Sequence, residues 1–342
     1  MLIPDRTMLP TFKAAQKGAA MQTADGMKRR FFRAQRLESS SVDSIRPLAT
    51  LSSLLLWNSF LAILMLTLLL PAKISYGQDT ANLSRLARAT QTRSRQPDWV
   101  TPLITASANL EEAVIYDTSR KLQTDGRSLW TLGGPRGVQF VPFGKLQITF
   151  GATPYEVHVN SKSHDGFGDT SFAFKYRFAS GNAENGNFAF SGLINTSIPT
   201  GSYQNGQQSA ILSPVLLGEK GWGNFNIQTT FGAALPLAHT VSIGRQYSWN
   251  TAFQYHIGRF FDPELETNIL AYQGGTNHGQ KQLYLLPGVI AGRFPVTRSA
   301  ALTFGVGMQI ATAHDRAFNH NLIFSVRVPL QSPGGRRSRF PQ

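Results

Sequence analysis

The stretch GFGDTSFAFKYRF, Gly166 to Phe178, constrains this chain most. Beyond its glycines, Phe172, Phe174, Tyr176 and Phe178 alternate with Ser171, Ala173, Lys175 and Arg177. Successive side chains of an extended strand point to opposite faces, so the segment has one aromatic face and one small, basic face. Such a strand borders two different solvents. A soluble sheet can bury its aromatics on a core. Here, however, the alternation recurs through to Leu330, with long polar loops and tight turns taking turns between strands. That combination predicts an all-β fold: an antiparallel transmembrane barrel, apolar side toward lipid and polar side toward a lumen.

Twelve strands are expected, at 110–118, 137–141, 145–151, 166–178, 188–198, 211–219, 225–235, 247–257, 264–272, 282–293, 302–310 and 321–330. Many have the length that a tilted strand needs to cross a hydrocarbon layer. The connections at 119–136, 152–167, 199–209, 236–246, 273–281 and 311–320 read as long or polar. Those at 142–144, 220–224, 258–263 and 294–298 read as short, and 179–187 breaks the alternation. Short turns at one end and longer loops at the other match the two ends of an outer-membrane barrel. In lipid every backbone donor and acceptor must be satisfied within the protein, so the sheet has to close. Tyr176, Phe178, Trp222, Tyr255, Phe260 and Phe294 on the short-turn side, with Tyr247 and Trp249 on the other, are the expected interfacial girdles.

The opposite face supplies the candidate lumen-lining residues: Lys175, Arg177, Gln228, Asn250, Gln254, His256, Glu264, Glu266, Asn268, Gln309 and Arg327. Two roles are open to them. They line a permeation path and set its selectivity, or opposite charges cross-pair and fill a small interior. Twelve strands enclose a narrow lumen by the usual scaling, which disfavours free passage of large solutes.

The segments before the barrel read differently. Leu51 to Leu70, LSSLLLWNSFLAILMLTLLL, carries no charge and follows a basic flank of Lys28, Arg29, Arg30, Arg33, Arg36 and Arg46. Pro71 breaks the run, and Ser75-Tyr76-Gly77 places small residues where a signal peptidase reads, predicting cleavage near Gly77. The expected organisation is a basic region and signal peptide at 1–77, a flexible periplasmic lead-in at 78–105, the barrel at 106–330 and a basic tail at 331–342. A lead-in that plugs the lumen is left open.

Charge and composition exclude other classes. The net charge of +14 suggests nucleic acid at first sight. Yet residues 1–77 hold ten Lys+Arg against four Asp+Glu, 78–97 add +3, the tail adds +3, and 98–330 keep +2. The basic character lies outside the expected fold, so no nucleic-acid partner is expected. There is no cysteine, hence no disulfide or thiolate metal site. His239, His278, His314 and His320 lack metal-ligand spacing, Asp165 and Asp169 lack a calcium-loop series, and the Gly-x-Gly at Gly166 precedes a strand. Ser248 and His256 lie too far apart along one strand to act together. No catalytic residue, cofactor or metal is expected.

HDGFGDTSFAFKYRF, SIPTGSYQNG, GWGNFNIQTTFGAALP and WNTAFQYHIGRFFDPELETN resemble the outer-membrane family called after the meta-pathway of phenol degradation. The resemblance covers roughly 105–330, and its most specific elements are GFGD...KYR and PTG. It implies a barrel transporter of the bacterial outer membrane that passes small hydrophobic or aromatic compounds, and it supplies no catalytic residues. The implied partners are the bilayer, the solute and the outer-membrane insertion machinery. One departure is that the last strand ends Val328-Pro329-Leu330 rather than on the terminal aromatic usual for such barrels. The alternatives are a structural or adhesive barrel with a closed lumen, and a barrel enzyme acting on lipid. A closed barrel predicts that unheated protein from a detergent extract migrates differently on a gel from boiled protein; unchanged mobility of a detergent-free soluble protein would return the alternation to a soluble sheet.

Overall fold

The computed structural model describes residues 85–297 and 299–330. The expected signal peptide and tail lie outside the described residues. A helix, α1 (Arg85–Ser94), is followed by 95–112 without regular structure and then by twelve long strands. These are β1 (Ala113–Leu122), β2 (Ser128–Phe143), β3 (Leu146–Val159), β4 (Thr170–Gly181), β5 (Phe188–Ile198) and β6 (Ile211–Trp222). β7 (Phe225–Pro236), β8 (Arg245–Tyr255), β9 (Phe261–Gln273), β10 (Lys281–Pro295), β11 (Ala301–Ala311) and β12 (His320–Pro329) complete the series. Each pairs antiparallel with its sequence neighbours. β1 pairs with β12 from Ala113↔Pro329 to Leu122↔His320, which closes the barrel.

The two faces separate as the alternation requires. On β4, Phe174, Tyr176 and Phe178 are about half exposed, while Ala173, Lys175 and Arg177 are buried. On β8, Trp249 and Tyr255 point out while Ala252 and Gln254 are fully buried. Exposed apolar residues thus form a belt around the outside, and the buried polar residues face the interior. An outer surface this apolar cannot face water around its whole circumference, so the barrel spans a membrane. Even strand number, antiparallel closure and unequal connections make it an outer-membrane barrel.

The connections 144–145, 182–187, 223–224, 256–260 and 296–300 lie at one end with the start of β1 and the end of β12. The turn at 182–187 contains a one-turn helix that Asn182 caps through the amide of Asn185, and it ends on Gly186 at φ 92°. At the other end lie 123–127, 160–169, 199–210, 237–244 and 274–280, with 312–319.

All twelve expected strands are present, most of them extended or shifted at their ends. The second differs most from expectation. β2 spans sixteen residues rather than five, and the expected long connection at 119–136 contracts to 123–127. Gly133-Gly134-Pro135-Arg136-Gly137 hides the alternation because the ladder shifts register between Leu132 and Gly134 and again between Gly134 and Val138. Bulges tolerate glycine and proline where a regular ladder does not.

Replacing Phe174, at mid-height on the lipid face, with Arg should cost about 2–4 kcal/mol of folding stability in bilayers. Denaturant unfolding in vesicles would measure it, and a neutral effect would remove that face from the lipid.

Candidate functional site

The interior is occupied by the chain itself. Residues 96–112 leave α1, rise to mid-height near Leu103–Thr105 and return to the start of β1, and their polar groups are met by inward side chains from most of the barrel. Of the flexible lead-in expected at 78–105, for which a lumen plug is the open alternative, the described part, from Arg85, is helix and lumen-bound segment. This segment is called the plug here.

Seven of the expected lumen residues converge on it or on its anchors. Lys175 Nζ donates to the carbonyls of Ser107 (2.9 Å) and Asn109 (3.0 Å). Arg177 donates to Thr92 O (3.2 Å), to Gly144 O (3.0 Å) and to the amide oxygen of Gln96. Gln96 in turn brackets Leu110, accepting from its N–H and donating to its carbonyl. Gln228 donates to Val100 O (2.9 Å) and to Gln254, which donates to Glu264 (2.8 Å).

The carboxylates take the plug's donors. Glu264 accepts from Leu103 N at 3.0 Å. Glu266 accepts from Ile104 N at 2.8 Å and, through its other oxygen, from both the amide and the hydroxyl of Thr105 at 2.6 Å. Arg327 donates to the carbonyls of Thr101 and Pro102 while Ser325 holds its Nε at 2.9 Å. Backbone groups inside a narrow lumen have little water to bond, so each plug carbonyl or amide needs such a partner.

Further anchors were not among the expected residues. Arg136 forms a two-point pair with Asp117 and donates to Pro102 O at 2.7 Å. Ser191 donates to Ala108 O (2.5 Å), Ser107 donates to Glu219 (3.2 Å), and Gln147 accepts from Glu111 N (2.8 Å). At the mouth near α1, Asp98 pairs with Arg93 (2.6 Å) and with Arg293. Glu219 and Arg293 lie on expected strands. Arg136 lies in the glycine-rich stretch whose strand character the bulges conceal.

The remaining expected residues do not reach the plug. Asn250, Asn268 and Gln309 form a ladder nearer the long-loop end, in which Asn250 donates to Thr230, Asn268 to Asn250, Gln309 to Asn268, and Asn321 to Gln309. His256 is paired with Asp262 at 2.7 Å, close to a short turn. Both residues of that pair are buried, at 3% and 0% exposure, so neither presents a reactive group to lipid.

The most specific motif elements meet at the long-loop end. Asp169 of GFGD accepts from Gly201 N (2.9 Å) and Gln207 N (2.7 Å), and Thr200 of PTG accepts from Thr170 N (2.9 Å). Gly206 leaves no room for a Cβ, which would sit 2.4 Å from the Asp169 carboxylate. These motifs therefore build a loop clasp. Asp165 likewise serves a turn, accepting from His158 N at 2.7 Å.

The family described as "Putative MetA-pathway of phenol degradation" matches residues 113–335. The chain belongs to that family. The match begins at the first residue of β1, so it takes in the barrel and leaves the plug outside. No curated protein matches the sequence significantly. Among solved structures, the NanC porin is similar at 10% identity and a TM-score of 0.43, over 63% of this chain and 99% of its own. An outer membrane channel from Pseudomonas putida F1 is similar at 12% identity and a TM-score of 0.44, over 68% of this chain and 99% of its own. The outer membrane phospholipase of Salmonella typhi reaches 13% identity and a TM-score of 0.30, over 73% of this chain and 99% of its own. Likeness at this level distinguishes no function.

Glu266→Ala removes the acceptor for two amides and a hydroxyl. An unsatisfied buried group costs about 1–3 kcal/mol, so opening of the plug should become roughly 5–150-fold more frequent. Hydrogen exchange at 100–110 should speed up by that factor while the barrel strands keep their protection; unchanged exchange would refute the anchoring role.

Proposed function

We propose that this protein is an outer-membrane channel for the passive uptake of small hydrophobic or aromatic compounds, with the plug as its resting closure. The observation that carries the reading is the way the lumen is filled. A barrel needing only a solid interior can fill it with its own inward side chains. Here the inward side chains reach a separate segment, and they hold it by non-covalent bonds that can be exchanged. Lys175, Arg177, Gln228, Gln254, Glu264, Glu266 and Arg327 are positioned to line the path once that segment moves, and Asn250, Asn268 and Gln309 line its outer part. Passage is diffusive, and the narrow interior limits it to small solutes. Delivery to the membrane runs through the outer-membrane insertion machinery, which on this reading accepts a last strand without a terminal aromatic.

The density of the same bonds favours a second reading, a structural or adhesive barrel whose lumen stays closed. Uptake by liposomes separates the two. Wild-type protein should admit a small aromatic solute slowly, and Glu266→Ala or Lys175→Ala should raise the rate on the order of tenfold by loosening the plug. Folded variants as impermeant as empty liposomes would leave the closed barrel standing.

A further inference from the structure

The lumen wall is not uniformly polar. From β4 to β9 its inward side chains include Lys175, Glu219, Gln254 and Glu266 beside Leu217 and Ala252, whereas β10 to β12 bring together Leu286, Gly288, Ile290, Gly305, Gly307 and Ile323. Leu103 of the plug enters this apolar sector and packs with Val100, Leu286, Ile290 and Ile323. It fits there because three inward positions lack side chains. A Cβ on Gly288, Gly305 or Gly307 would stand 2.8, 2.7 or 2.6 Å from the Leu103 methyls, closer than real carbon contacts come. The glycines, two of them cross-strand partners, hollow the wall to the depth of a branched alkyl group.

Outward of the hollow the wall is aromatic. Tyr284, the inward residue preceding Leu286 on β10, stacks on Phe318 of the connection 312–319 at 4.6 Å and 16°. Buried aromatic packing thus separates the long-loop mouth from the hollow. At the facing edge stand Glu264 and Glu266, whose backbone donors from the plug are the amides of Leu103, Ile104 and Thr105. When the plug leaves, the apolar recess and Glu266 lose their partners together, while Glu264 keeps its bond from Gln254. Water serves such a recess poorly, since apolar cavities of this kind stay dry.

We propose that this sector of β10–β12 is a binding site for a small uncharged apolar molecule, about the size of a single ring, bearing one hydrogen-bond donor, and that Leu103 occupies the site in the resting state. The ring replaces the Leu103 side chain and the donor replaces a plug amide at Glu264 or Glu266. This proposal rests on the channel reading above and names the place where the solute and the plug compete.

The test uses full-length protein in detergent, with p-cresol as the probe and toluene as its donor-free counterpart, and binding read by titration calorimetry. Leu103→Ala empties the hollow and leaves the backbone anchors in place. It should bind p-cresol about tenfold more tightly than wild type, because the side chain no longer competes, and toluene more weakly than p-cresol. Adding Gly307→Val, or the milder Gly305→Ala, refills the hollow and should abolish the gain, with heat-modifiable mobility confirming a folded barrel in each case. Equal binding by Leu103→Ala and wild type, or a gain that survives the refill, would overturn the proposal. Uptake by liposomes is scored separately. Binding in the hollow without uptake would sink the channel reading alone, and uptake indifferent to the refill would sink the hollow alone.

Discussion

Closure of the hydrogen-bonded ladder is the constraint on which the rest of the structure depends. A strand edge exposed to hydrocarbon leaves a row of unpaired amides and carbonyls, each costing several kcal/mol. The pairing of β1 with β12 along its whole length removes that edge. Even the prolines obey the constraint. Pro214 and Pro287 sit inside β6 and β10, where a missing N–H would ordinarily break a sheet. Each keeps a partner on one side, Ile194 and Leu265 respectively, and each coincides with a gap in the ladder on the other side. The defect is local, and the neighbouring pairs hold register across it.

Closure creates a second problem in the interior. Because alternate residues must point inward, a barrel with an apolar exterior collects polar and charged side chains in a narrow space, where unpaired charges are costly. Some are satisfied along the wall, as in the amide ladder through Asn250, Asn268, Gln309 and Asn321. Others are satisfied by the plug, whose irregular backbone offers carbonyls to Lys175, Arg177 and Arg327 and amides to Glu264 and Glu266. Wall and plug are complementary: the wall's charges give the plug its hydrogen bonds, and the plug's backbone neutralises the need of the wall. Removing either one exposes the other.

On the channel reading proposed above, that mutual dependence connects stability to transport. The interactions that close the lumen are hydrogen bonds and the burial of a few apolar side chains, which exchange without covalent change and scale with small differences in free energy. The polar sector grips the plug's backbone, and the glycine-hollowed sector grips the Leu103 side chain. A solute able to satisfy both would be matched to the lumen by the same groups that hold it shut. The external loops, clasped through Asp169 and Thr200, frame the approach to it.

The period-two alternation by itself determined the barrel, its strand order and which side of each strand meets lipid, because a pleated strand has no other way to arrange its side chains. It also placed Lys175, Gln254, Glu266 and Arg327 inside. It missed most of β2, since bulges around Gly133 and Gly137 slip the phase on which such reading depends. Only the tertiary structure decided what the inward residues touch. The plug has no periodicity of its own, and its partners lie as far as 226 residues along the chain, brought together by closure of the barrel. Nothing in the segment from Gln96 to Glu112 marks it as interior, because most of its bonds to the wall are made by backbone groups that every residue possesses and that acquire meaning once a wall of side chains stands around them.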